Sequence, residues 1–224
     1  MLNSGINVLF EGSNFERLLA GLWNSIWIAA LSLVIGLILG LFFGILRTMP
    51  NKIIRFILRL NLEFFRIVPT VVLLYLVYYI LPGSLHINWA GTWMAVLAFS
   101  LWVVAEYSDI VRGAIESVPK SQRESALALG LNKFQLYRYV LLVQAFKLEL
   151  PATINLATRV IKTTSLLMLI SVMEVINVGQ QIIEANNQKY PSGVFWVYGL
   201  IFILYFILDY PLSAWAKRLT AKNK

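Results

Sequence analysis

The chain has no cysteine and one histidine, His86, and only 13% of its 224 residues are charged. Without cysteine there is no disulfide, no thiol catalysis and no thiolate metal site. A soluble domain carries roughly a quarter charged residues, so the composition argues against a water-soluble globule. No Gly-Lys dipeptide occurs, which excludes the Gly-x-x-x-x-Gly-Lys-Ser/Thr loop that cradles nucleotide phosphates. Acidic residues are also few, 11 against 19 Lys plus Arg, for a net charge of +8. That surplus would fit a nucleic-acid binder only if the basic residues shared a solvated face. Residues 1–17 lack the early basic charge of a cleavable signal, so the N-terminus is expected to be retained.

What the chain has is long uncharged runs. A bilayer core of about 30 Å needs about 20 apolar helical residues. Leu18 to Leu46, Ile67 to Ala105 and Tyr190 to Leu208 are free of charge, and the second run is divided by a turn around Pro82-Gly83-Ser84. A further apolar segment, Ala152 to Ile176, carries Arg159, Lys162 and Glu174. The expectation is an all-α integral membrane protein, one domain over residues 1–224. Its five spans fall near 20–46, 64–82, 89–110, 152–176 and 193–213.

Basic residues set the orientation. Of the 19, 17 follow span one, lie between spans three and four or at the start of four, or end the chain; only Arg17 and Lys189 fall on the other side. The N-terminus is therefore expected outside and the C-terminus in the cytoplasm. This distribution accounts for the positive charge by topology and leaves no support for a nucleic-acid partner.

Gly36, Gly40 and Gly44 recur every fourth residue, a face on which another backbone can approach closely. Packing within the chain and contact with another subunit both satisfy this pattern. Pro69 either kinks span two or starts it. The cytoplasmic loop, residues 112–150, is too long for a plain tether. Ser121 and Glu124 have capping-box spacing, and Glu124 to Gly130 reads as a short helix closed by a left-handed glycine. Residues 131–148 read as a second short helix, and Pro151 as the start of span four.

Charges at membrane depth are costly and usually face a cavity, a partner or the interface. Glu106 and Asp109 share a face of span three. Asp109 with Arg112 and Glu63 with Arg66 are three-residue pairs suited to local ion pairing, and His86 falls in an outer loop.

Ile110-Val-Arg-Gly113, Ser117-Val-Pro-Lys120, Glu124-Ser-Ala-Leu-Ala-Leu-Gly130, Leu150-Pro151 and Lys162-Thr-Thr-Ser-Leu166 resemble the membrane subunit of ABC importers for polar amino acids. The Glu124 segment is similar to the family's EAA motif, and Asn61-Leu-Glu-Phe-Phe-Arg66 with Pro69 is similar to its Glu-Leu-Phe-Arg-Gly-Thr-Pro. Ser125 replaces the first Ala of EAA and Ile67-Val68 replace Gly-Thr. Glu106 stands where the family usually has Tyr, and Thr163 where it has Asp.

The resemblance implies a bacterial cell-membrane permease without catalytic residues, metal or cofactor. Its implied partners are a second permease subunit, identical or homologous, a cytoplasmic ATP-binding subunit, an extracytoplasmic solute-binding protein and an amino-acid substrate within the lipid bilayer. It nominates Glu124, Ser125, Ala126 and Gly130 for coupling to the ATPase. For substrate, the charges and hydroxyls at membrane depth nominate Glu106, Lys162, Thr163, Thr164, Ser165, Arg66 and Asp109, since fixed opposite charges can replace the hydration a zwitterion sheds. In this reading Lys162 attracts the substrate carboxylate and Glu106 its ammonium group. The alternative is a secondary carrier using Glu106, Asp109 and Lys162 for ion coupling, although five spans do not divide into the two halves usual for such carriers.

Overall fold

Long uncharged segments leave helices as the means of satisfying their own backbone groups in lipid. The computed structural model describes residues 5–86 and 89–222, and every regular element among them is helical. A 3₁₀ turn, Gly5–Phe10, precedes α1, Asn14–Thr48. α2 is Lys52–Ile67. α3 joins Thr70–Tyr75, a π-helical turn at Leu76–Ile80 and Leu81–Leu85. Then come α4, Gly91–Ser117, and α5, Lys120–Ala128. α6 runs from Lys133 to Ile170, with a π-helical turn at Leu136–Leu141 and a 3₁₀ end at Thr164–Ile170. α7 is Val175–Asn186 and α8 is Gly193–Lys222.

Four of these, α1, α4, α6 and α8, are long and apolar enough to cross a membrane. α2 and α3 meet at 103° and make a fifth crossing only if taken together as one bent span. The bend has a local cause. Val68 precedes Pro69 and is held extended at ψ 123°, because the proline ring disfavours the helical region there. Pro69 is thus a helix start, and residues 64–67 lie in α2, across the bend from α3.

α1 packs along α4, and the three glycines lie in that contact. A Cβ on Gly36 would sit 2.3 Å from Val103 Cγ1, and one on Gly44 would sit 2.6 Å from Val111 Cβ. Of the two readings of this glycine face, packing within the chain is the one observed. The core beside it is built from Ile28, Leu74, Met94, Phe99, Val160 and Leu167, all buried. A second, smaller core joins Leu18, Val175, Ile182 and Val197 to Val8 and Leu9 of the N-terminal turn. Asn14 Nδ2 donates to Val8 O at 2.8 Å, and Lys189 pairs with Glu11, clasping the same end. The Lys189 ammonium holds the Glu11 carboxyl below the usual carboxylate range.

The region between spans three and four differs from expectation. α4 continues past Arg112 to Ser117, and the expected second helix over residues 131–148 is not separate: from Lys133 on it is the first part of α6. Pro151 lies inside α6, because its missing N–H forfeits a single ladder bond and the flanking turns carry the helix through. The capping box is also elsewhere. α5 starts after Pro119 without a side-chain cap, whereas Asn132 and Gln135 exchange reciprocal hydrogen bonds of 2.9 Å at the start of α6.

The fourth apolar segment does not run unbroken to residue 176. Ser171 takes a left-handed conformation, φ 58°, and α7 begins four residues later. Glu174, fully buried, accepts from the backbone N–H of Ile176 at 2.8 Å and Asn177 at 2.7 Å. A carboxylate at a helix N-terminus satisfies the free donors and meets the positive end of the dipole.

The tight α1–α4 contact makes a prediction. Gly36→Ala should lower stability by about 1–3 kcal/mol through overpacking, although alanine is the better helix former. Gly199→Ala, in α8 where a Cβ meets nothing within 4 Å, should be neutral or stabilising. Thermal unfolding in detergent reads both, and an unimpaired Gly36→Ala would refute the close packing.

Candidate functional site

Two groups of charge lie between the long helices, one turn apart on α4. In the first, Arg159 Nη2 of α6 donates to Glu106 Oε2 at 2.6 Å. The Arg159 guanidinium also lies over the Trp102 ring, 5.6 Å from its centroid, a cation–π contact that holds it against α4. Glu106 is 16% exposed and Arg159 50%, so the pair has one accessible side. Lys162, one turn further along α6, is exposed and makes no ion pair with Glu106 among the described residues. Asp209 of α8 has its Oδ1 buried with no hydrogen-bond partner among the described residues.

The three hydroxyl residues after Lys162 bond back to their own helix. Thr163 Oγ1 donates to Arg159 O at 2.8 Å, Thr164 Oγ1 to Ile161 O at 2.7 Å and Ser165 Oγ to Lys162 O at 2.8 Å. Such bonds leave each oxygen free as an acceptor. Thr164 is buried against Tyr205 of α8, 3.4 Å between hydroxyls, while Thr163 and Ser165 are half-buried.

The second group centres on Asp109. Its Oδ1 meets Arg47 Nη2 at 3.2 Å and Arg112 Nη2 at 2.9 Å, and its Oδ2 meets Arg66 Nη2 at 3.0 Å. Glu63 lies 4.0 Å from Arg66. Both local pairs expected from spacing are present, and the structure adds Arg47, 5% exposed and hydrogen-bonded to Ser108 at 3.3 Å. Arg66 and Asp109 therefore share one network, while Glu106 faces away to Arg159.

Sequence reasoning missed several participants. Arg47 was legible only as a charge flanking span one. Glu149, buried, accepts from Tyr107 Oη at 2.7 Å, yet its place near Pro151 resembled loop. Asp209 marked only the end of an uncharged run.

α5 projects from the bundle. Ala126 is its only buried residue, Glu124 and Ser125 are exposed, and Leu127 and Leu129 are 52% and 81% exposed. Gly130 closes it at φ +81°. The Gly130 N–H reaches Leu127 O at 2.9 Å and the Leu131 N–H reaches Ala126 O at 3.2 Å, the paired bonds of a Schellman motif.

A helical bundle with four helices long and apolar enough to cross a membrane, charged pairs between its helices and a short exposed helix at one end has the form of an integral membrane component. The chain belongs to the family described as binding-protein-dependent transport system inner membrane component, which it matches over residues 23–219. It is 32% identical over 204 residues to the probable amino-acid permease protein YxeN of Bacillus subtilis (strain 168), covering 89% of this chain and 91% of that protein. To the glutamine transport system permease protein GlnP of Escherichia coli (strain K12) it is 32% identical over 208 residues, covering 92% and 93%. The histidine/lysine/arginine/ornithine transport system permease protein HisM of the same strain is 33% identical over 208 residues, covering 88% and 85%. Its fold is similar to a crystal structure of an amino acid ABC transporter with histidines, with TM-score 0.81, 24% identity and 93% and 94% of the two chains covered. It is similar also to an inward-facing MetNI methionine ABC transporter, with TM-score 0.74, 19% identity and coverage of 92% and 96%.

Because Asp109 is shared by three guanidinium groups, Asp109→Asn should destabilise the protein by about 3 kcal/mol, the cost of leaving the buried Arg47 without its counter-charge. Thermal unfolding of the purified chain measures this, and a midpoint equal to the parent's would show that the network does not hold α1, α2 and α4 together.

Proposed function

We propose that this chain is the membrane-spanning subunit of an ATP-driven importer of a polar amino acid. The single observation that carries this reading is α5, a short capped helix with exposed leucines at the place of the EAA-like motif, in a chain of this family. Two exposed leucines beside a Schellman turn suit a cleft in a partner. A cytoplasmic ATP-binding subunit fits, with Glu124 and Ser125 at the contact, Ala126 seating the helix on the bundle and Gly130 setting its end. Two permease subunits, identical or homologous, each dock one such ATPase, which performs the hydrolysis, and an extracytoplasmic solute-binding protein delivers the substrate. The partition of basic residues supports an N-terminus outside and a C-terminus in the cytoplasm.

The substrate side of the proposal rests on α4 and α6. An amino-acid zwitterion sheds water to cross, and fixed opposite charges replace its hydration. Glu106 and Arg159 supply such a pair with an accessible side, and Lys162 adds a second cation one turn away. The substrate ammonium competes with Arg159 for Glu106, and the substrate carboxylate is drawn to Arg159 and Lys162. Thr163 and Ser165 offer acceptor lone pairs, with Thr164 buried behind them against Tyr205. Arg66 and Asp109, held in the neighbouring network, position α4 from below. The secondary-carrier alternative has no comparable support from α5.

Two outcomes follow. Gly130→Val places a β-branched residue at positive φ, a strain of roughly 1–2 kcal/mol or more, so in the assembled transporter it should leave ATP hydrolysis running while uptake falls. Full uptake by that variant would remove α5 from coupling. Glu106→Gln should change which amino acids are taken up by a complex that still assembles, read as uptake of a panel of labelled amino acids. Identical kinetics for all of them would remove Glu106 from the substrate path.

A further inference from the structure

We infer that the arginine-lined cavity between α2 and the far end of α4 binds the headgroup phosphate of an acidic phospholipid. The cavity, of about 470 Å³, is walled by Arg47, Arg55, Arg59, Arg66 and Arg112. Three carboxylates share that wall, Glu63, Asp109 and Glu116, so two positive charges are left uncompensated. The unbalanced members are identifiable. Arg47, Arg66 and Arg112 converge on Asp109, whereas Arg55 and Arg59 are exposed and form no ion pair among the described residues. Arg47 is 5% exposed and its buried Nε–H has no acceptor among the described residues. Guanidinium forks in this arrangement match the oxygens of a phosphodiester.

The geometry of α2 identifies the source of the phosphate as a lipid rather than a free anion. Ile53, Phe56, Ile57, Leu60, Phe64 and Ile67 are all at least half exposed and recur at intervals of three and four residues, forming one apolar stripe. Arg55, Arg59 and Arg66 lie on the other side of the same helix, toward the cavity. A helix with this division lies in the bilayer boundary, its stripe in the acyl region and its arginines at headgroup level. α2 is set at 103° to α3. With α2 held at the boundary, the cavity mouth opens at headgroup level, and the stripe on the opposite side of the helix keeps it there. A zwitterionic headgroup carries a cation that the two uncompensated guanidinium groups repel, so the net charge of the site favours acidic lipid.

The test uses the full-length purified chain in micelles containing equal phosphatidylglycerol and phosphatidylcholine, with retained lipid counted by native mass spectrometry. The parent should retain phosphatidylglycerol preferentially. Arg55→Gln with Arg59→Gln removes the two unpaired charges without touching the Asp109 network and should lower that preference about tenfold or more. Lys217→Gln with Arg218→Gln, an equal loss of charge outside the cavity, should leave it unchanged. Equal retention of the two lipids by the parent would overturn the proposal, as would undiminished preference in the Arg55/Arg59 variant. Displacement of the lipid by excess inorganic phosphate would assign the cavity to a soluble anion and overturn the lipid assignment.

Discussion

The approach of α1 to α4 is the constraint from which the other features follow. Inside a bilayer the hydrophobic effect does not drive two apolar helices together, so close van der Waals contact must do so. Gly36, Gly40 and Gly44 permit that contact, and the last of them would place a Cβ only 2.9 Å from Ser108 O. Arg47 follows Gly44 by one turn. It is therefore carried to the side of α4 where Ser108 and Asp109 stand, and its burial there is possible because Asp109 is within 3.2 Å. With any larger residue in the stripe, the guanidinium would be displaced from its carboxylate, and the Asp109 network would lose the member that water cannot reach.

Breaks in the helices are handled by the same accounting of polar groups. Between α6 and α7 the chain leaves helical geometry for four residues beside the apolar core, which is tolerated only when the freed groups find partners. Glu174 caps α7, Asn24 Nδ2 donates to Met173 O at 2.8 Å, and Asn177 Nδ2 donates to Val172 O at 2.9 Å. Gly21 lets the α1 backbone lie against Val175, where a Cβ would be 3.0 Å from its Cα. The break is thus pinned on α1, the helix that also organises the opposite end of the bundle.

Run length and charge placement made the long helices legible, because hydrocarbon thickness imposes both. The glycine stripe and the positive φ of Gly130 were legible for a similar reason, since each depends on the absence of a side chain. Local ion pairs three residues apart were readable from helical geometry. Arg159 opposite Glu106, Arg47 opposite Asp109 and Tyr107 opposite Glu149 were not, because each joins residues 42 to 62 positions apart and depends on how helices are rotated about their axes. Pro151 was misread because a proline that usually starts a helix in water is accommodated inside one by a long apolar helix. The fault at Ser171 left no signal, since serine rarely adopts that conformation.

The positions of Glu106 and Asp109 make α4 the element through which distant parts of the chain meet. Three residues apart, they hold partners on different helices, Arg159 on α6 for one and Arg47 and Arg66 on α1 and α2 for the other. At its end α4 passes through Val118 and Pro119 directly into α5, and Arg123 Nη2 of α5 donates back to Ile115 O of α4 at 2.6 Å. α5 is thus tied directly to the last turns of α4. Because packed helices shift as units rather than deform, any displacement of α4 would move Asp109 and Glu106 together. The Asp109 side is restrained by three guanidinium groups, while Glu106 has one partner with half its surface exposed. The Glu106–Arg159 pair is therefore the less restrained of the two attachments that tie α4 to its neighbours.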